Sequence, residues 1–343
     1  MIVTVIFAIL VFSLIIFVHE LGHFLTARLF RVRVHEFAIG MGPKIYSKKR
    51  GETLYSIRAV PMGGFCSMEG EDEASQSEGA LSAKPWYQRL VILAAGAAMN
   101  VVLGFVICLV FVSVGASQSG IATTTVSTVM EESGLNGFLQ KGDRIVKVNG
   151  ERVNIKRDID FVMQQSEGGE CTVEIKRSGE RLTKTFKPYV AKYTDGSNAY
   201  LIGFTPEIRP ASVFGVIHEA FFQTVWMGKL VFVSFGMLIG GKASVNDVSG
   251  PVGVVSAMNT TAKTGGIVSL IYLAAFISVN IGLMNLLPIP ALDGGRIFFV
   301  LIEAVRRKPI PPEKEGIVHF IGLILLLGIM VFATWNDILR LLA

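Results

Sequence analysis

The sequence predicts a polytopic α-helical membrane protein with a small β-rich domain inserted between its spans. Three observations carry this prediction. The mean hydropathy is +0.54, and charged residues make up only 17% of the chain, below the about 25% of an ordinary soluble protein. Four apolar stretches approach the roughly 20 residues that cross a bilayer. Between the second and third stretches, about seventy residues are polar and alternate as strands do.

Each predicted span is an apolar run of membrane length. The first has no charge before His19 and no basic segment in front of it, so we expect a retained helix and not a cleavable signal peptide. Basic residues cluster between the first two spans and between the last two, which places both loops in the cytoplasm and both termini outside. These loops account for the net charge of +5, and no nucleic-acid partner is expected. The four predicted spans cover about 1–29, 90–114, 267–287 and 317–333.

The polar segment between the second and third spans predicts a separate domain on the outer face. Its Asn149-Gly150 and Ser178-Gly179 pairs are typical of tight turns between antiparallel strands. A cytoplasmic hairpin loop over 31–88 is expected to join the first two spans. The predicted organisation is a membrane core over 1–119, the β-rich domain over 120–188, a linker with an interfacial helix over 189–266, and the rest of the core over 267–343.

The most informative motif is His19-Glu20-Leu21-Gly22-His23, which lies inside the first span. Histidines four apart share one face of a helix, about 6 Å apart along its axis, so both imidazoles can bind one metal ion. Ionisable side chains inside a membrane-length apolar run are costly unless they have a use. H-E-x-x-H on a helix is the signature of zinc hydrolases, in which the glutamate acts on the attacking water. The motif therefore predicts one Zn²⁺ per chain.

A catalytic zinc needs a third protein ligand, and Asp293 is the best candidate. It follows Pro288 and Pro290 and precedes two glycines, a pattern that breaks a helix where irregular backbone can line a cavity. Asp293 could instead cap the helix that begins at Gly294. His319 opens the fourth span without a companion, so we interpret it as a structural residue.

The apolar stretch 212–241 is the ambiguous part of the membrane region. It is long enough to cross, but ionisable residues such as His218 and Glu219 interrupt it. A crossing here would place Asp293 on the opposite side of the bilayer from His19. We therefore predict a helix lying in the outer interface, with its apolar side chains dipping into lipid.

Taken together, these motifs resemble those of the site-2 protease family of intramembrane zinc metalloproteases, in its bacterial RseP type with a single PDZ domain. The resemblance implies zinc ligands at His19, His23 and Asp293, catalysis by Glu20, a PDZ fold for the outer domain, and a place in the bacterial cytoplasmic membrane. It covers essentially the whole chain. The matching segments are Phe17 to Phe24, Gly40 to Pro43, Pro61 to Phe65, Met99-Asn100, Ser133 to Leu135, Lys141 to Gly150, Gly250 to Gly253 and Asn285 to Gly295.

Hydrolysis of a transmembrane helix requires that its carbonyls first leave their helical hydrogen bonds. The segment Leu54–Val60 alternates like a strand close to the predicted depth of the metal. We predict that it holds the unwound substrate by β-addition, with Tyr55 and Ile57 contributing. A hairpin without a substrate role is the alternative.

Two asparagines are further polar groups at membrane depth. Asn285 could bind the unwound substrate backbone, or it could satisfy carbonyls freed by Pro288 and Pro290. Asn100 is predicted to make a polar contact between packed helices.

The resemblance implies hydrolysis of peptide bonds within or near transmembrane segments, for example of anti-sigma factors or signal-peptide remnants. The substrates would be pre-trimmed by another protease, and the outer domain would exclude those with bulky outer parts. Two other classes of function remain. A transporter of zinc or another cation would be expected to have more spans and internal repeats. A membrane-tethered PDZ scaffold would leave the zinc motifs without a purpose.

Overall fold

The computed structural model describes residues 2–71, 75, 77–192, 196, 198–241 and 249–342. The chain divides into two compact units, of which one comprises Met1–Ile107 with Met227–Ala343 and the other Cys108–Trp226. The α-helices of the described residues are α1 (Ile2–Leu29), α2 (Trp86–Ser119), α3 (Lys156–Gln165), α4 (Val213–Ile239), α5 (Pro251–Asn285), α6 (Asp293–Arg306) and α7 (Pro312–Leu342).

Five of the described helices are long and apolar enough to cross a membrane. Four of them, α1, α2, α5 and α7, contain the predicted spans. The fifth candidate is Val213–Leu238 within α4, where the sequence predicted an interfacial helix. Length and composition alone therefore do not confirm a total of four spans.

Helix α5 consists of two helical segments joined at Gly266, whose φ of 65° lies outside the helical region. Glycine adopts this conformation without the strain that a Cβ would cause. The predicted third span begins at residue 267, directly after this kink. Residues 251–265 are also helical, whereas the sequence predicted a linker there. Pro251 occupies the first turn, where its missing N–H leaves no helical hydrogen bond unmade.

The ends of three helices lie at one level. The backbone N–H of Gly253, in the first turn of α5, donates to Oδ2 of Asp337 at 2.7 Å. Asp337 belongs to the C-terminal part of α7 and is buried. At the start of α1, Thr4 Oγ1 donates to Oδ1 of Asn259 at 3.3 Å. The start of α1, the first segment of α5 and the end of α7 therefore lie close together.

The loop between α1 and α2 forms two long strands, β1 (Val34–Arg50) and β2 (Thr53–Met68). Residues 36–39 of β1 have Cα partners both at 54–57 and at 64–67 of β2, and residues 54–57 also pair with 46–49. Each long strand therefore contributes two segments to the sheet. The segment 54–57 is interior, because its backbone has neighbours on both sides, and 64–68 forms one outer edge.

A buried apolar cluster joins this sheet to the C-terminal part of α1. The ring of Phe37 lies 5.0 Å from that of Phe24 and 6.0 Å from that of Phe17. Ile92 of α2 is fully buried in the same cluster. The cluster therefore fixes the sheet beside the histidine-bearing end of α1.

The second unit contains a sheet with strand order β10-β3-β4-β6-β7 and a short strand β5 beside β4. Its predicted turns are confirmed: the Asn149-Gly150 and Ser178-Gly179 pairs have positive φ at both positions and connect antiparallel neighbours. Two-residue turns with positive φ at both positions match the twist of the strands they join. The strands are β3 (Ile121–Val129), β4 (Arg144–Val148), β5 (Glu151–Arg152), β6 (Cys171–Arg177), β7 (Glu180–Phe186), β8 (Tyr189–Lys192), β9 (Asn198–Leu201) and β10 (Phe204–Arg209).

The β-rich fold continues past residue 188, where the sequence predicted a linker. Strand β10 pairs with β3, and Ile202 and Phe204 are buried in the core of the unit. Pro206 is tolerated because β10 is an edge strand of the sheet. The pairing joins strands far apart in the sequence, and local alternation over six residues did not reveal it.

An ion pair with a buried carboxylate ties the residue before β4 to the end of β6. Nε and Nη2 of Arg177 each donate to the carboxylate of Asp143 at 2.7 Å, and the N–H of Gln140 donates to it at 2.8 Å. Burial by itself would raise the pKa of Asp143, but these hydrogen bonds outweigh burial and hold the pKa below its ordinary value. The carboxylate therefore stays charged in the folded unit at neutral pH.

Candidate metal centre

The side chains of His19, His23 and Asp293 converge on one point. Nε2 of His19 lies 3.2 Å from Nε2 of His23. Oδ2 of Asp293 lies 3.0 Å from Nε2 of His19 and 3.4 Å from Nε2 of His23. Among the described residues, these three form the group of His, Cys, Asp and Glu side chains whose ligand atoms are close enough to share a metal ion.

The three separations fit a zinc ion. Ligand atoms at about 2.0–2.1 Å from zinc, at the corners of a tetrahedron, lie about 3.3 Å from one another. The observed 3.0 to 3.4 Å therefore corresponds to one triangular face of such a tetrahedron. Three protein ligands leave the fourth corner for water or substrate, which is the arrangement of a catalytic site.

The other ring nitrogens of the two histidines have partners of their own. Nδ1 of His23 lies 2.9 Å from the carbonyl oxygen of Ile92. That nitrogen must carry the proton in order to donate, so Nε2 of His23 is free to bind a metal. Nδ1 of His19 lies 3.3 Å from Nδ2 of Asn100. Oδ1 of Asn100 is buried and has no hydrogen-bond partner, and a half-turn of the amide would let it accept the Nδ1–H of His19.

Asn100 therefore has more than the packing role that the sequence predicted. It does join two helices, since Ser278 Oγ donates to its backbone oxygen at 2.8 Å, but its side chain also reaches a histidine of the site. The signal that could have found it is its spacing from Gly96. The two lie four apart on α2, the same spacing as His19 and His23 on α1.

Glycines let α1 and α2 approach closely at the site. A Cβ on Gly96 would lie 2.8 Å from Nε2 of His19 and closer still to Nε2 of His23. A Cβ on Gly22, between the histidines, would collide with the backbone of Ala95. The lack of a side chain at Gly96 on α2 therefore leaves the space that both imidazoles occupy.

Asp293 is positioned by the break that its prolines and glycines predicted. Helix α5 ends at Asn285 and α6 begins at Asp293 with Leu292 as its N-cap. Ala291 has a positive φ of 72°, and its N–H donates to Nδ1 of His319 at 2.9 Å. His319 of α7 therefore has a hydrogen-bond partner that the sequence did not reveal. This hydrogen bond holds the loop that positions Asp293.

Glu20 faces a cavity of ≈ 380 Å³ that His19, His23 and Asp293 also line. Residues 65–68 of the hairpin sheet line the same cavity, and a Cβ on Gly64 would lie 3.5 Å from Cγ of Glu20. Segment 64–68 therefore lies beside this carboxylate. Farther along the wall, Arg296 donates to Glu71 at 2.6 Å, and this ion pair borders the same cavity.

The structure does not place Tyr55 and Ile57 at this cavity. They belong to the interior segment of the sheet, whose backbone already has neighbours on both sides. Such a segment cannot pair with a further strand, so the prediction of β-addition at Leu54–Val60 is corrected. Tyr55 packs its ring 5.9 Å from that of Phe24. A sequence shows that a segment alternates, but not whether it becomes interior or edge.

The remaining predicted substrate-positioning residues belong to the break between α5 and α6. Asn285 is the last residue of α5 and is half-buried. Pro288 is exposed. The backbone and ring of Pro290 lie directly against Gly322 of α7, where a Cβ would have no room. Pro290 therefore contributes to the packing of the break.

Comparison with known proteins gives a consistent result. Residues 7–329 match the model of Peptidase family M50. A candidate zinc metalloprotease of Clostridium acetobutylicum is 40% identical over 337 residues, with 97% of each chain covered. The regulator of sigma-W protease RasP of Bacillus subtilis (strain 168) is 32% identical, with 98% of this chain and 99% of that protein covered. The solved PDZ domain of an SdrC-like protein from Listeria monocytogenes matches 26% of this chain and 87% of its own, at 19% identity and a TM-score of 0.21.

The sequence relatives extend over nearly the whole chain and confirm the predicted resemblance. The alignment with the B. subtilis protein spans 423 positions, more than the 343 residues of this chain, so that relative carries residues that have no counterpart here. Zinc is the cofactor that the names of these relatives imply. The chain belongs to Peptidase family M50 and is an intramembrane zinc metalloprotease.

Proposed function

We propose that His19, His23 and Asp293 hold one zinc ion per chain and that Glu20 is the general base of peptide-bond hydrolysis. The observation that carries this proposal is the convergence of three ligand atoms within 3.4 Å of one another, beside a glutamate on the same cavity. When bound, zinc acidifies water and polarises the scissile carbonyl. Glu20 accepts the proton of the attacking water and passes it to the leaving nitrogen.

The residues around the ligands keep them in one orientation. The carbonyl of Ile92 and the amide of Asn100 each engage an Nδ1 atom, which leaves both Nε2 atoms directed at the ion. His319 restrains the loop before Asp293. Rigid ligands of this kind preserve the geometry on which hydrolysis depends.

The outer edge of segment 64–68 is the proposed docking strand for the unwound substrate. It is an edge of the sheet, and it lines the same cavity as Glu20. A substrate strand added there would run past the catalytic carboxylate. Asn285, at the end of α5, is proposed to bind the freed substrate backbone, while Pro288 and Pro290 shape the loop beside it.

We further propose four complete crossings, with both termini outside. The start of α1, the first segment of α5 and the end of α7 lie together. α2 runs opposite to α1, because its Gly96 lies at the histidines while Gly104 packs against Val279, farther from the end of α5. Both α2 and the segment before α5 then end on the outer side, so α4 makes no complete crossing. Because α2 ends and α5 begins on the same side, this arrangement supports the predicted interfacial helix.

The second unit is proposed to be a PDZ domain on the outer face. A cavity of ≈ 320 Å³ lies between β10 and α3, lined by Lys156, Ile159 and Phe204 among others. An edge strand beside a helix can accept an extended peptide. We nevertheless favour a steric role, in which the domain excludes substrates with bulky outer parts until another protease has trimmed them.

The proposed substrates are membrane-spanning regulatory proteins. The B. subtilis relative is named as a regulator of sigma-W protease, and a comparable role here would make transmembrane anti-sigma factors the substrate class. Neither a cation transporter nor a scaffold is favoured, because both leave Glu20 and its place beside the three ligands unexplained.

Two variants test the site. Glu20→Gln keeps the size of the side chain but removes the base, so cleavage of a transmembrane peptide should fall by about 10²-fold or more while zinc content stays at one per chain. Asp293→Ala should lower zinc content measured by elemental analysis. Glu151→Gln, which changes an exposed carboxylate of the second unit, is the control and should keep its zinc. Near-normal turnover by Glu20→Gln, or full zinc in Asp293→Ala, would contradict the assignment.

A further inference from the structure

A second cavity lies beside the hairpin sheet at the C-terminal end of α1 and shares no lining residue with the catalytic one. Its volume is ≈ 850 Å³, within the range of about 300–1,000 Å³ that is usual for small-molecule sites. Four arginines line it, together with one carboxylate, that of Glu52. They are Arg28, Arg31, Arg33 and Arg50.

The positive charge of this cavity is largely unbalanced. Of the four arginines, Arg33 forms ion pairs, with Glu52 at 3.3 Å and with Glu69 at 2.7 Å. Arg28, Arg31 and Arg50 form no ion pair with any residue that the structure describes. Like charges gathered around one cavity repel each other, so they favour an anionic ligand that brings them together.

The part of the cavity beside the arginines is apolar. Phe24 and Leu25 line the cavity, and the Arg28 guanidinium lies 5.8 Å from the centre of the Phe24 ring. Leu25 and Leu29 are 51% and 73% exposed at the end of a 27-residue apolar stretch. The cavity is therefore at the depth where headgroups meet acyl chains.

We propose that this cavity binds the headgroup of an anionic phospholipid, with its acyl chains along Leu25 and Leu29. Guanidinium groups bind phosphate oxygens through paired N–H donors, and basic pockets on the cytoplasmic side of membrane helices attract anionic headgroups. A soluble acidic peptide would have no use for the exposed leucines. The inference depends on α1 crossing the membrane, and it is independent of which residues bind zinc.

The test is lipid retention by the full-length protein. The protein is reconstituted into nanodiscs of equal phosphatidylglycerol and phosphatidylcholine, and the lipids that stay bound on release are identified by native mass spectrometry. Wild type should retain phosphatidylglycerol. The triple variant Arg28→Gln, Arg31→Gln, Arg50→Gln should retain at least about tenfold less. The matched control Arg306→Gln, Arg307→Gln, Lys308→Gln removes the same charge elsewhere and should retain the wild-type amount.

Several results would overturn the proposal. Equal retention by wild type and the triple variant would show that the arginines do not bind the lipid, and equal loss in both triple variants would indicate overall charge alone. Displacement of the lipid by inorganic phosphate or by polyglutamate would indicate a free anion or an acidic peptide. The zinc content of each variant reports its folding, and the single Arg50→Gln variant, outside α1, should give a partial loss even if the triple variant does not fold.

Discussion

Replacement of Gly96 by alanine should disrupt the proposed metal centre without replacing any of its three proposed ligands. The new Cβ would lie 2.8 Å from Nε2 of His19, whereas ordinary contacts begin near 3.4 Å. The contact with Nε2 of His23 is closer still, so either the two helices separate by more than about 0.6 Å or an imidazole turns away. Metal sites tolerate only about 0.2 Å of change in ligand distance. Zinc content should fall well below one per chain, and cleavage should fall by about 10²-fold or more.

The control for this change is Gly115→Ala on the same helix. A Cβ at residue 115 meets no atom within 4 Å, so this variant should keep its zinc and its activity. Zinc is measured by elemental analysis of the purified protein, and activity as cleavage of a transmembrane model peptide. Full zinc content and wild-type cleavage in Gly96→Ala would refute the argument, because they would show that α2 does not press against both imidazoles.

Three other changes test separate parts of the structure. Asn100→Ala should weaken zinc binding by about 10–100-fold, as measured by chelator competition, and unchanged affinity would leave Asn100 as a packing residue. Arg177→Met should destabilise the second unit at neutral pH, as seen by faster hydrogen exchange in β6. Because the pKa of Asp143 is lowered in the folded state, this difference should be present above about pH 4 and shrink as the pH falls through the folded-state pKa; a difference independent of pH would contradict it. Replacing residues 120–209 with a flexible linker should allow cleavage of full-length precursors that are otherwise resistant, whereas slower cleavage of trimmed substrates alone would indicate recruitment by the domain.

The candidate site could be predicted where its signals are local. His19 and His23 share a helical face by their spacing alone, and two prolines and two glycines predicted the break that positions Asp293. Both depend on the conformation of a few consecutive residues. The contributions of Gly96 and His319, and the contact of Asn100 with His19, were missed because each acts on a residue far away in the sequence.

The hairpin sheet shows the same limit in strand pairing. Alternation correctly predicted that Leu54–Val60 is a strand. Whether that strand is interior depends on its neighbours, and these come from both halves of β1. The proposed docking edge is instead 64–68, which begins with Gly64 and directly follows Pro61 and Gly63. Such residues weaken the alternation signal, so the edge nearest Glu20 was the hardest part of the sheet to find.

The proposed membrane topology combines a sequence rule with contacts between helices. Basic loops predict which side each span faces, but they do not decide whether α4 crosses, because α4 is apolar enough to do so. The contacts of Thr4 with Asn259 and of Gly253 with Asp337 bring the start of α5 to the level of both chain ends. A single crossing by α4 would instead place the start of α5 on the side of the membrane opposite both chain ends. Since His19 and Asp293 meet, α5 runs in the same direction as α1, and we therefore propose that α4 returns to the side from which it came.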